Sequence, residues 1–280
     1  MSLTIGPLTN SGLVSQEHGQ LIRKEIEKTH YKTGISFLKD HNGLRPSYIH
    51  FVLGRTSGGK STLVRTMIHD YIEANRHEEN NQIYVYLSEE KVQDYQAALL
   101  ATGITFEQLK KFVIFSSELD LPHISKTPIS VIKAVLAEHP NVGLFVYDNI
   151  TTSRLYTTLK PSDQFDFVHH LKTYISTTDI ACVLVGHTNA QADKSTQLLT
   201  TQDVMGSKGV ANLAEFYYVM ESFYANNRRY NFVRTLKHRG YSIDKNTYAM
   251  YYSDKSKTFF NSECIDFKAL AAISKERDKI

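Results

Sequence analysis

Residues 48–62 read Tyr48-Ile-His-Phe-Val-Leu-Gly54-Arg55-Thr56-Ser57-Gly58-Gly59-Lys60-Ser61-Thr62. Within them, Gly54-x-x-x-x-Gly59-Lys60-Ser61 is a complete P-loop pattern, and each residue type has a physical task. Gly54, Gly58 and Gly59 permit a tight turn and a close backbone approach to a ligand. The exposed amides converge on phosphate oxygens, assisted by the positive end of a helix that starts near Lys60. The pattern therefore predicts that Gly54, Arg55, Thr56, Ser57, Gly58, Gly59, Lys60, Ser61 and Thr62 wrap the phosphates of ATP. Lys60 is expected to reach the β- and γ-phosphates and Ser61 to hold Mg²⁺. The surroundings agree. Residues 48–53 are apolar and aromatic, as a buried strand requires, and Leu63, Met67, Ile68 and Ile72 recur at helical spacing over 61–72.

Working outward, the 280 residues are enough for one large domain or two small ones. The net charge of +3 gives no global field for nucleic acid, so any such contact must come from a local patch. Cys182 and Cys264 are too few and too far apart for a disulfide framework or a zinc cluster, which suits a reducing cytoplasm. No apolar run approaches the roughly 20 residues of a membrane span, and the polar first twenty residues do not read as a signal peptide.

Residues 1–32 are expected to form an N-terminal segment. Its charged helix over 15–31 has a thin apolar stripe, Leu21, Ile22 and Ile26, for packing at home or on another subunit. Residues 33–280 read as one α/β domain. Strands are expected at 48–53, 82–87, 112–115, 142–148 and 180–186, with helices between them. Polar loops are expected at 151–162 and 188–209. Strands at 216–220, 230–236, 248–252 and 259–260 follow, then a helix over 266–277. Strand–helix alternation followed by a run of strands predicts a mostly parallel sheet flanked by helices, with an antiparallel C-terminal extension.

Strand C-terminal ends line the ligand crevice of a parallel sheet. Asp148, ending the fourth strand, fits the carboxylate that orients Mg²⁺, or else caps a turn. Glu89, ending the second, suits the base that activates water, and Glu90 has the same chemistry. His187 ends the fifth strand, either touching the γ-phosphate or serving as a structural histidine. Lys237 and Arg239 lie on alternate residues at the end of a late strand and so point the same way. They act either as cations reaching phosphates across a subunit boundary or as a solvated basic turn.

These residues, in this order, resemble the RecA-type ATPase superfamily, closest to the DnaB-like replicative helicase domain and to the RadA and KaiC proteins. The resemblance runs over about 33–260. It is carried by Thr33-Gly-Ile-Ser-Phe-Leu38 with Gly43-Leu44, by the P-loop, and by the strand ending in Glu89-Glu90. Phe145-Val-Tyr-Asp148, Val183-Leu-Val-Gly-His187, Gly206-Ser-Lys-Gly209 and Lys237-His-Arg239-Gly240 complete it. DnaB helicases usually carry Gln where this chain has His187.

The resemblance implies a RecA-like sheet and an ATP hydrolase that works at subunit interfaces, as a homo-oligomeric, hexamer-type ring translocating on single-stranded DNA in a bacterial or phage-infected cell. It implies that Glu89 activates water, that Lys60 and Ser61 hold the phosphates and that Ser61 and Asp148 hold Mg²⁺. His187 would sense the γ-phosphate, and Lys237 and Arg239 would act on the neighbour's nucleotide. The loops after the fourth and fifth strands would grip DNA through Arg154, Lys160, Lys194 and Lys208. Such sparse charge predicts modest, salt-sensitive binding. A filament-forming recombinase and a KaiC-like signalling ATPase without DNA are the other members of the group that fit.

Overall fold

Ile49–Gly54 (β1) is buried along all six residues, as a strand covered on both faces must be. The computed structural model describes residues 35–39, 43–75, 81–119, 128–195, 197–225, 227–239, 247–266 and 270. Around β1 the chain runs through Ser36–Lys39 (α1), Lys60–Asn75 (α2), Gln82–Leu87 (β2), Val92–Leu100 (α3), Phe106–Phe112 (α4) and Val113–Ser117 (β3). Then come Pro128–Glu138 (α5), Val142–Asp148 (β4), Arg154–Thr157 (α6), Pro161–Ile175 (α7), Ala181–His187 (β5), Ala190–Lys194 (α8) and Val210–Leu213 (α9). Phe216–Ala225 (β6), Arg228–His238 (β7), Thr247–Ser253 (β8) and Thr258–Cys264 (β9) complete the described elements.

These nine strands form one sheet in the order β3-β2-β4-β5-β1-β6-β7-β8-β9. β3 through β6 are parallel neighbours, and β7, β8 and β9 add on antiparallel. The fold is thus α/β, with a mostly parallel sheet and an antiparallel C-terminal extension, as expected. Alternation along the strands divides the core between the two faces. Val52, Val85 and Val183 pack with Leu63, Met67 and Ile68 of α2 and Tyr95 of α3. Phe51, Leu53 and Tyr147 pack on the other side with Ile132 of α5 and Val168 and Leu171 of α7. His50 is fully buried near the start of β1, where Arg45 and Tyr218 supply polar partners and Phe216 stacks on its ring.

Two expectations need correction. Residues 151–162 and 188–209 are not open polar loops. The first contains α6 and a buried Thr151, Ser153, Leu155 and Tyr156. The second folds back on β5 through a bridge between Thr188 and Val204 and a bond from Met205 N to His187 O (2.9 Å). It packs on α7 where the Ser207 amide donates to Gln164 (2.9 Å). The other correction concerns β6, which runs five residues past the expected Met220, so the β6–β7 hairpin extends beyond the end of β1. The helix expected at 15–31, and all of 266–277 except residues 266 and 270, lie outside the described residues. Among the described residues no helix is long and apolar enough to cross a membrane.

Candidate functional site

Strand register brings the site together. Gly54 is level with His187 across β1 and β5, and Leu87 is level with Asp148 across β2 and β4. Glu89 follows β2, so the ends of four parallel strands deliver Lys60, Glu89, Asp148 and His187 to one edge. There a cavity of about 420 Å³ opens, lined by the P-loop from Thr56 to Thr62 and by Glu89, Asp148 and His187.

The loop needs its glycines for separate reasons. Gly59 sits at φ +91°, a left-handed conformation that favours glycine. A Cβ at Gly54 would lie 2.8 Å from Lys60 Cγ and 2.9 Å from Met220 O, so this position is closed to any side chain while Lys60 folds over it. Gly54 and Arg55 therefore shape the loop without lining the cavity. The Arg55 guanidinium turns away, to Glu221 of β6 (2.7 Å) and, through Nε, to Ala192 O (3.1 Å). The Thr56 side of the loop is tied down too, its amide donating to Asp193 Oδ1 (3.0 Å).

Lys60 Nζ donates to Arg55 O (2.8 Å) and lies 3.1 Å from His187 Nδ1. Burial lowers its pKa from the ordinary lysine value to about 8, against the pull of Asp148, Glu89 and Asp193. Burial, and then the Lys60 charge, also lower the His187 pKa. A neutral imidazole that accepts from Lys60 at Nδ1 carries its proton on Nε2, 3.5 Å from Glu89 Oε2. Glu89 lines the cavity and its side chain is half exposed. Glu90 instead pairs with Arg65 of α2 at 3.6 Å, and burial raises its pKa. The two acids, equivalent in sequence, thus face different surroundings.

Asp148 is buried, and its carboxyl is pushed up to about 6, chiefly by that burial. Among the described residues its Oδ2 has no hydrogen-bond partner. A buried carboxylate oxygen left open beside Ser61 and a lysine is the donor chemistry of a hard divalent cation, so Ser61 and Asp148 fit Mg²⁺. Asn149, joined to Asp148 by a cis peptide, is fixed by Ser88, whose hydroxyl donates to its carbonyl at 2.7 Å.

Lys237 and Arg239 stand elsewhere. β7 is antiparallel to β6, so its end pairs with Phe216 and Tyr217, four and three residues before the Met220 that is level with Gly54. At about 3.3 Å per residue, that places Lys237 about 10 Å and Arg239 farther down the sheet from the P-loop, toward the opposite end of the strands. There they surround the buried carboxylate of Glu215, which pairs with Lys172 and, at 3.6 Å, with Arg239. Lys237 Nζ donates to Asn212 O (2.8 Å), and its pKa is lowered by burial and then by Lys172. Arg239 is two-thirds exposed.

Of the four cations expected to meet DNA, Lys160, Lys194 and Lys208 are exposed. Arg154 is exposed as well, but its amide donates to the buried Glu118 carboxylate (2.8 Å) and its guanidinium to the Glu118 carbonyl. It fastens α6 to the end of β3, and its charge is already partnered.

Sequence reasoning missed Arg65, Asn149 and Arg229 on the cavity wall and Asp193 and Glu221 behind the loop. None belongs to a motif. Only the basic doublet Arg228-Arg229 beside a turn offered a signal. A scan against protein-family models gives no match, and no curated protein matches significantly.

Proposed function

We propose that the chain is an ATP hydrolase with a RecA-like core that drives movement along single-stranded DNA, working as a DnaB-like ring in the cytoplasm. The observation that carries this reading is one cavity at the strand ends in which a P-loop lysine, a neutral histidine, an exposed glutamate and a buried aspartate with an unpartnered oxygen converge. The resemblance of the ordered motifs to the RecA group supplies the rest.

In this reading the amides of residues 57–62 and the Lys60 ammonium hold the polyphosphate. Ser61 and Asp148 would hold Mg²⁺, which when bound neutralises charge shared between the β- and γ-phosphates. Glu89 orients a water and accepts its proton as the water oxygen attacks the γ-phosphorus and the bond to the ADP oxygen breaks. His187, against both Lys60 and Glu89, moves when a phosphate draws Lys60 away from it. Because His187 N is held by Thr151 Oγ1 (2.8 Å) and its carbonyl by the Met205 amide, that movement passes to the segments after β4 and β5. Lys237 and Arg239 are too far down the sheet to serve their own cavity, which supports their acting on a neighbouring copy's nucleotide in a head-to-tail assembly.

The test is the ATPase rate of the full chain with and without single-stranded DNA, together with its mass in ATP. Stimulation of several-fold with a closed oligomer is expected. A monomer whose turnover ignores DNA would contradict the motor reading.

A further inference from the structure

Among the described residues three cations line the cavity, Lys60, Arg65 and Arg229, and the P-loop motif accounts for only the first. Arg65 faces Glu90 at 3.6 Å and lies over the Tyr95 ring, so its charge is already engaged. Arg229 differs. It comes from the tip of the β6–β7 hairpin, paired with Tyr224. It reaches the P-loop because β6, after running level with β1 to Gly54, continues five residues beyond it. Its Nε donates to Ser222 Oγ (2.8 Å), and Ser222 in turn bonds Asn231 Oδ1 (2.8 Å). One terminal nitrogen donates to the carbonyl of Ser57, at the crest of the P-loop (3.2 Å). No ion pair involving Arg229 forms among the described residues.

The guanidinium is thus anchored at two points over the phosphate loop. Those bonds use two of its five N–H donors. The remaining donors, with an uncompensated positive charge, border a cavity whose floor is made of amides and an ammonium. A planar cation fixed in this way suits a phosphate oxygen, which it binds through directed N–H bonds that a flexible lysine matches poorly. We propose that Arg229 is a ligand-binding residue supplied by the same chain. It closes the mouth of the cavity over a bound polyphosphate and contacts the phosphates rather than the base. This rests on the nucleotide reading of the cavity. It is separate from the cross-subunit role of Lys237 and Arg239, which lie toward the opposite end of the strands.

The experiment is calorimetric binding of two probes, Mg-ATP and inorganic tripolyphosphate with Mg²⁺, to the full-length wild type, Arg229→Ala and Arg229→Lys. Arg229→Ala should weaken both probes by the same factor, about tenfold or more, as expected for a charge-assisted bond. Arg229→Lys should recover part of the loss for both, with an unchanged urea midpoint because the tip is exposed. Equal binding by wild type and Arg229→Ala would overturn the inference while leaving the nucleotide reading intact. A loss for ATP with none for tripolyphosphate would also overturn it, by assigning Arg229 to the base or sugar. A wild type that binds neither probe would remove the nucleotide reading and this inference with it.

Discussion

Lys60 is held in a position where its charge is costly until a ligand arrives. Burial brings its pKa down to about 8, and its ammonium is parked on the Arg55 carbonyl and His187. A polyphosphate beside it favours the charged form, so the bound state holds more protons than the empty one. The sign follows: affinity is insensitive to this group well below pH 8 and falls as pH rises above it, approaching about tenfold per pH unit while the bound lysine stays protonated. Calorimetry at pH 8.5 in two buffers of different ionisation heat should register proton uptake on binding ATP. Zero uptake would mean that Lys60 does not meet the phosphates. The same residue-scale view separates Glu89 from Glu90. Adjacent acids in sequence become a cavity wall and an arginine partner, a distinction set by which one follows the line of β2 and which one turns toward α2.

At the scale of elements, the P-loop is less independent than its motif suggests. Arg55 is drawn to Glu221, a fully buried carboxylate that also pairs with Arg234 (3.1 Å) and accepts from the Leu199 amide (2.7 Å). One acid therefore joins the P-loop, β6, β7 and the segment after β5. Glu221→Gln leaves buried guanidinium groups without their counter-charge and should cost about 3–5 kcal/mol in a denaturant titration. Breaking the exposed pair of Lys257 and Asp254 with Lys257→Ala should change stability by less than about 1 kcal/mol. If Glu221→Gln is as mild as the surface change, the buried network is not what holds the loop. The parallel strands, the helix after the P-loop and the strand-end acids were legible because hydrophobic runs and a fixed-spacing motif are local signals. The return of residues 188–209 onto β5, the length of β6 and the partners Asp193 and Glu221 were not. Asp193 and Glu221 lie more than a hundred residues from the P-loop groups they bond, while the return onto β5 and the overrun of β6 rest on backbone pairing that side-chain pattern does not encode, so a polar stretch rich in Thr and Gln reads as a loop. Arg229 was hidden for the same reason, since only the overrun of β6 past Gly54 carries it to the site.

For the whole molecule, the sheet separates two charged clusters: the cavity at the C-terminal ends of the parallel strands, and Lys172, Lys237 and Arg239 around Glu215 at the other. In the proposed head-to-tail assembly the second cluster of one copy would face the first of the next. Mixing Arg239→Ala with Lys60→Ala subunits, each inactive alone, should then recover part of the turnover, because some interfaces pair an intact cavity with an intact Arg239. No recovery at any mixing ratio would count against the cross-subunit arrangement. The claim beneath all of this is that a nucleoside triphosphate is bound and cleaved in the P-loop cavity. The most direct measurement is steady-state ATP turnover by the full chain beside its Lys60→Ala variant, at pH 7.5 with Mg²⁺. The account predicts measurable hydrolysis that falls at least a hundredfold, on the order of 2.7 kcal/mol, when the ammonium is removed. Equal turnover by the two proteins would contradict it.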